Sequence, residues 1–206
     1  IRIIDLLSHT SGIGYPFIPS TVSRSYVSAG IIDGITSKDI RLSSQMELLA
    51  KQPLIFEPGS KFAYGLSVDL LGYLIEVVSG KSLDRFLAEE LFAPLAMHDS
   101  YFYLPQGKAE RLVTLYADVD GEGLIVSQGN ESEIILDNPR YPVEGARSYF
   151  SGGAGLSSTA HDYGRFLQTL LNGGDLEGVR ILGRNSVELM DSARADKDED
   201  QVPEFG

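Results

Sequence analysis

Residues 62–80, FAYGLSVDLLGYLIEVVSG, constrain this chain more than any other stretch. They read as a Gly-containing turn followed at once by a helix. Ser67 stands where a helix cap belongs. Leu71, Leu74, Ile75 and Val78 recur at i, i+3, i+4 and i+7, which predicts one apolar face. Gly80 supplies a left-handed stop. A buried helix that starts just behind an exposed turn holds that turn rigidly. Tyr64 is the side chain on the turn that can do chemistry, so it is the candidate reactive group.

The surrounding chain reads as α+β. Short helices are expected over residues 1–8, 44–52 and 185–193, and longer ones after Ser82 and Thr159. Ser44 with Glu47, and Thr159 with Asp162, have capping-box spacing. The helix after Ser82 carries Leu83, Phe86, Leu87 and Leu91 on one face; the one after Thr159 carries Tyr163, Phe166, Leu167, Leu170 and Leu171. Residues 15–43 show no sustained period and predict an irregular excursion with about one helical turn. From residue 112 the pattern turns β-like, and Asp120-Gly121 predicts a hairpin turn. A short strand is expected over residues 133–137. No repeat and no linker divides the 206 residues, so 1–206 is expected to form a single segment.

Charge and composition exclude several functions. The formal net charge of -12 repels phosphate backbones and anionic membranes, so a nucleic-acid partner is not expected. There is no cysteine, hence no disulfide, zinc-thiolate site or Cys nucleophile. No run approaches the ~20 apolar residues of a membrane-spanning helix, and no signal peptide is visible. His9, His98 and His161 lie far apart without ligand spacing, so no metal is expected. His161-Asp162 could suggest a base and its orienter, but neighbours on a helix point in different directions. SGGAGL at residues 151–156 lacks the Lys-Ser/Thr that would complete a phosphate loop; its bland reading is a turn packed closely on a helix. A G-x-S-x-G elbow is absent.

Four stretches together resemble one superfamily. They are DLLSHTSGI (residues 5–13), FEPGSKFAYGLSVDLLGYLIEVVSGKSLDRFL (56–87), LFAPLAMHDSYF (91–102), and GGAGLSSTAHDYGRFLQTLLNGG with GVRIL (152–182). In this order they resemble the serine β-lactamase and penicillin-binding-protein superfamily, in its class C-like branch with the family VIII carboxylesterases. The resemblance implies the mostly helical region of that fold with a small antiparallel β portion. It further implies a serine nucleophile in an S-x-x-K motif, whose lysine shares proton traffic with the tyrosine of a Y-x-N motif. Tyr64 matches that tyrosine. The chemistry has a clear logic. Tyrosine ionises only near pH ~10, so it needs a neighbouring ammonium to act as a base near neutrality. Serine needs an adjacent base to attack an acyl carbon. By the same resemblance Gly152 and Gly153 line the floor of the cleft. No cofactor is implied.

The chain departs from the family in two ways. None of Lys38, Lys51, Lys61, Lys81, Lys108 and Lys197 has a serine three residues before it, and the late K-T-G-type strand motif is missing too. The chain is therefore expected to be an internal segment of a longer enzyme, inactive by itself, with an apolar surface that favours self-association. Leu66 also replaces the Y-x-N asparagine. An apolar contact at that point favours small carboxylic esters over amide-bearing β-lactams or D-Ala-type peptides. The alternative is a non-catalytic binding or scaffold module that keeps the fold.

Overall fold

The computed structural model describes residues 1–119, 121, 123–126 and 140–191. The fold is α+β, and the chain divides into two compact units. The first comprises Ile1–Phe86 and Tyr101–Ser157; the second comprises Leu87–Ser100 and the chain from Ser158 onward.

The first unit holds α1 (Ile3–Leu7), α2 (Ser23–Ser28), α3 (Leu42–Leu49) and α4 (Ser67–Ser79), and its boundary falls within α5 (Leu83–Leu87). Its core gathers Leu6, Ile13, Tyr15, Tyr26, Leu42, Met46, Leu49, Leu66 and Tyr149. α1 begins on a capping exchange: the Arg2 N–H donates to the Asp5 carboxyl at 2.7 Å, and the Arg2 guanidinium pairs with the same carboxyl. α3 starts at Leu42, two residues before the expected Ser44 cap, because Leu42, Met46 and Leu49 bury one face. The excursion at residues 15–43 does contain a single short helix, α2.

α4 runs as expected to Gly80, which takes the left-handed conformation at φ 67° and donates its N–H to the Glu76 carbonyl. Its inward face is a correction to the sequence reading. The fully buried residues are Ser67, Asp69 and Gly72; of the expected face Leu71 packs half-buried against the core, whereas Val78 is 79% exposed. Ser67 does not cap the helix either; its hydroxyl shares a 2.8 Å hydrogen bond with that of Ser11. Small residues let α4 come close to its neighbours. A methyl group on Gly72 would lie 2.9 Å from the Leu83 side chain and 3.6 Å from Gly152 Cα.

The expected hairpin forms as β1 (Tyr116–Val119) and β2 (Gly123–Val126), antiparallel, with Val119 opposite Gly123 and Gly121 in the left-handed region. The strand expected over residues 133–137 lies outside the described residues.

In the second unit a π-helical turn, Ala88–Phe92, follows α5. Phe92, Leu95, Met97 and Leu176 form the core, with Phe166 of α6 (Ala160–Leu171) and Ile181 against it. After α6 comes a minimal antiparallel ladder, β3 (Asp175–Leu176) with β4 (Val179–Arg180). α7 (Arg184–Asp191) follows. The Thr159 hydroxyl accepts the Asp162 N–H at 3.2 Å, as the sequence predicts. No helix among the described residues is long and apolar enough to cross a membrane.

Candidate active site

Tyr64 is held by backbone before any side chain is considered. Residues 9–14, HTSGIG, run beside residues 55–66. Ile55 N–H donates to the Gly12 carbonyl (2.8 Å), Gly59 N–H to Thr10 (2.7 Å), Ala63 N–H to His9 (2.9 Å) and Leu66 N–H to Gly14 (3.3 Å). The two segments approach too closely for side chains. A Cβ at Gly65 would lie 2.1 Å from the Ile13 carbonyl oxygen; one at Gly12, with φ +78°, would lie 2.4 Å from that of Phe56. Only glycine permits such contact. The Ser11–Ser67 hydrogen bond then ties this rail to the first turn of α4. A tyrosine between these anchors has little backbone freedom.

The Tyr64 side chain itself is 42% exposed. Its ring lies 5.1 Å from that of His9 and 5.2 Å from that of Tyr15, which stacks on Phe17 at 4.8 Å. These distances suit tilted aromatic packing. His9 adopts a positive φ of 53°, and its Nδ1 is buried without a hydrogen-bond partner among the described residues. Burial pushes the imidazole below its ordinary pKa, which favours the neutral ring. Tyr15 is buried, and its phenol is pushed well above the usual range. Desolvation is the main cause, followed by the Asp69 carboxyl and then by Tyr64.

Behind these rings lies a buried carboxyl. Asp69, in the first turn of α4, is 0% exposed. The Ser151 hydroxyl donates to its Oδ1 at 2.5 Å and accepts the N–H groups of Gly153 (3.2 Å) and Ala154 (3.1 Å). Oδ2 is buried against the same turn; among the described residues no donor meets it in full hydrogen-bond geometry, although the Gly152 and Gly153 N–H groups favour its charged form. Burial raises the Asp69 pKa, and the Ser151 hydrogen bond opposes that only in part. Tyr149 is buried too, its hydroxyl unpartnered and its pKa raised first by burial and then by Asp69 and Asp33.

The candidate residues thus fare differently. Tyr64 stands on a rigid turn with its side chain partly open. Leu66 needs correction: it is 0% exposed and belongs to the core of the first unit, so it presents no surface to a substrate. A side chain immediately before a buried helix can turn inward while Tyr64 turns outward. The inference from Leu66 to esters falls with it. Gly152 and Gly153 are shaped by close approach. A Cβ at Gly152 would lie 2.4 Å from the Val68 carbonyl oxygen; one at Gly153 would lie 2.9 Å from Asp69 Oδ2 and 3.2 Å from the Tyr15 hydroxyl. That is the turn packed on a helix that the bland reading describes. His9, Tyr15 and Asp69 were missed. His9 entered only among three histidines without ligand spacing, and nothing in the spacing joins Tyr15 to Tyr64 across 48 intervening positions. His161 meets Asp162 only at a marginal 3.5 Å. Two cavities lie elsewhere, one of about 530 Å³ beside Arg41, Glu76 and Arg147, the other of about 780 Å³ beside Leu167, Leu171 and Val187.

Comparison with known proteins adds a family. The family described as Beta-lactamase matches residues 1–205. Esterase EstB of Burkholderia gladioli is 33% identical over 178 residues, covering 82% of this chain and 44% of that protein. A putative D-alanyl-D-alanine carboxypeptidase of Escherichia coli is 28% identical over 205 residues, covering 92% of this chain and 43% of the relative. Among solved structures, EstCE1, described as a hydrolase with promiscuous acyltransferase activity, is 32% identical with a TM-score of 0.76; the match covers 92% of this chain and 50% of that one. The chain spans less than half the length of these curated relatives.

Proposed function

Because the chain belongs to the beta-lactamase family, we propose that the protein carrying it is a serine hydrolase acting through an acyl-enzyme, with Tyr64 as its proton carrier. The observation that carries this reading is the setting of Tyr64. A half-open phenol is fixed on a backbone-pinned turn, beside a desolvated imidazole and a desolvated phenol. Fixed geometry matters because a proton carrier must stay within hydrogen-bond reach of the group it serves.

The nucleophile is a serine of an S-x-x-K motif outside this chain, and its lysine supplies the ammonium. The serine oxygen attacks the acyl carbon while its proton passes to the Tyr64 oxygen beside that ammonium. The tetrahedral intermediate collapses, and the same proton goes to the leaving alcohol or amine. Water then repeats the sequence on the acyl-enzyme and releases the acid. Gly152 and Gly153 hold the adjoining turn close to α4 and beside Tyr15. Carboxylic esters are the favoured substrates, with β-lactams or D-Ala-type peptides next. The likeness to an esterase and to a hydrolase with acyltransferase activity supports that order.

Tyr64→Phe in the full-length protein tests the reading. Hydrolysis of a chromogenic ester is expected to fall by ~10²-fold or more. A rate within about threefold of the unaltered protein would refute the role. A second reading, a binding module without chemistry, is favoured by one observation: no lysine in this chain has a serine three residues before it. Burst-phase trapping of an acyl-enzyme in the protein with its S-x-x-K segment separates the two. A module gives no burst.

A further inference from the structure

The buried carboxyl behind the tyrosines has no part in the proton transfers described above. We infer that Asp69 is a positioning residue for Tyr64, acting through the Ser151–Gly153 turn on one side and through Tyr15 on the other. This rests on the reading of Tyr64 as proton carrier.

The geometry divides the carboxyl into two halves. Oδ1 holds Ser151, whose oxygen in turn collects the N–H groups of Gly153 and Ala154. One side-chain oxygen thereby fixes the whole turn to the first turn of α4. Oδ2 faces the backbone of Gly153, where the Tyr15 hydroxyl also converges: a single added methyl at Gly153 would touch both. Tyr15 then passes the constraint to Tyr64 through ring packing at 5.2 Å. The Tyr64 backbone is fixed from the other side by residues 9–14. Asp69 therefore fixes the ring, and the rail fixes the turn.

An ionised Asp69 would hold full charge in a dry interior with only loosely aligned backbone N–H groups of Gly152 and Gly153 facing Oδ2, which is costly. The groups facing it are the Ser151 hydroxyl and the Gly152–Gly153 backbone, the Tyr15 and Tyr149 phenols, and Asp33 through its effect on both phenols; none of them is a cation. The neutral acid resolves the problem. It keeps an acceptor for Ser151 and gives Oδ2 a proton to donate. The consequence for stability has a definite sign. A carboxyl whose folded pKa is raised stabilises the fold fully below its unfolded value, near pH ~4, and that contribution is lost as pH rises through the folded value.

Asparagine mimics the neutral acid in shape, with a carbonyl for Ser151 and an N–H donor in place of the O–H. Three variants of the full-length protein make the test: Asp69→Asn, Asp69→Ala and Ser151→Ala. Asp69→Ala is expected to lower kcat by ~10-fold with KM within about twofold, because misplacement affects the transition state more than binding. Asp69→Asn is expected to keep kcat within about threefold. Thermal unfolding between pH 4 and 8 is expected to lose less stability with rising pH in Asp69→Asn than in the unaltered protein. If Asp69→Ala does not fold, Ser151→Ala keeps the acid, cuts the link to the turn, and is expected to lower kcat by ~3- to 10-fold. Unaltered kcat in Asp69→Ala, or in Ser151→Ala where that variant stands in, overturns the inference. So does an Asp69→Asn variant as slow as Asp69→Ala, or one with the unaltered pH slope. Tyr64→Phe at full activity overturns the function instead, so the two failures are distinguishable.

Discussion

Two buried aspartates occupy equivalent places in the molecule. Asp69 is the third residue of α4 and Asp162 the third residue of α6, and both are almost fully inaccessible. Their surroundings differ. One Asp162 oxygen accepts the Asp99 N–H at 2.7 Å and the Ser100 hydroxyl at 2.9 Å, while its own N–H is held by Thr159. Asp69 receives one hydroxyl, and among the described residues its other oxygen meets no donor in full hydrogen-bond geometry, near two buried phenols. Each carboxyl lies in the first turn of its helix. Where donors saturate it, the residue fastens a loop to a helix. Where one oxygen is left unpaired in a dry, aromatic setting, local stability has been given up, as is common beside reactive groups. The contrast gives the second unit's aspartate an architectural setting and sets the first unit's beside the candidate site.

Removing Asp162 breaks the comparison most directly. Asp162→Ala deprives the Asp99 N–H and the Ser100 hydroxyl of a shared acceptor. The expected loss is about 3 kcal/mol of stability, from a buried donor left unmade and a lost charge-assisted bond. Thermal unfolding should register it as a fall of roughly 6–12 °C in Tm for a chain of this size. Per folded molecule, ester hydrolysis by the full-length protein should stay within about twofold. A loss of kcat matching that of Asp69→Ala would erase the distinction between the two carboxyls.

The glycine turn sharpens the same comparison at a smaller scale. In Gly152→Ala the new methyl meets a backbone oxygen, Val68 O, at 2.4 Å, and neither partner is the flexible end of a side chain. About 1–3 kcal/mol of overpacking is expected. Because the displaced turn carries Ser151, kcat should fall along with Tm, unlike in Asp162→Ala. Measuring both on the same preparation checks this; a Tm change with unaltered kcat would detach the turn from Tyr64.

Much of the architecture was legible because it is local. Asp120-Gly121 announced the β1–β2 hairpin, Gly80 the end of α4, and the Thr159–Asp162 spacing the start of α6. The inward face of α4 was not, for a physical reason. Periodicity ranks residues by hydrophobicity, which points to Leu71, Leu74, Ile75 and Val78. Close approach of two backbones selects for size and hydrogen bonding instead, and that selects Ser67, Asp69 and Gly72. Of the site, Tyr64 was legible from its turn and its resemblance. Its neighbours were not: His9 and Tyr15 reach it only through the pairing of residues 9–14 with 55–66. Leu66 was misjudged because a motif aligned by letters does not say which way a side chain turns.

Thr159 offers the smallest test. Its hydroxyl takes one N–H of the first turn of α6, while the Asp162 carboxyl, which a full capping box would return to Thr159, is committed to Asp99 and Ser100. The cap is therefore half of a reciprocal pair. Thr159→Ala should cost about 1 kcal/mol, the ordinary value for one lost N-cap, and lower Tm by roughly 2–4 °C. Coupling is the informative quantity. If Asp162 fastens the segment before α6 independently of the cap, the effects of Thr159→Ala and Asp162→Ala add within about 0.5 kcal/mol in the double variant. A larger interaction would mean that cap and carboxyl act as one device. The architecture assigned to Asp162 would then belong to the helix start rather than to the loop it holds.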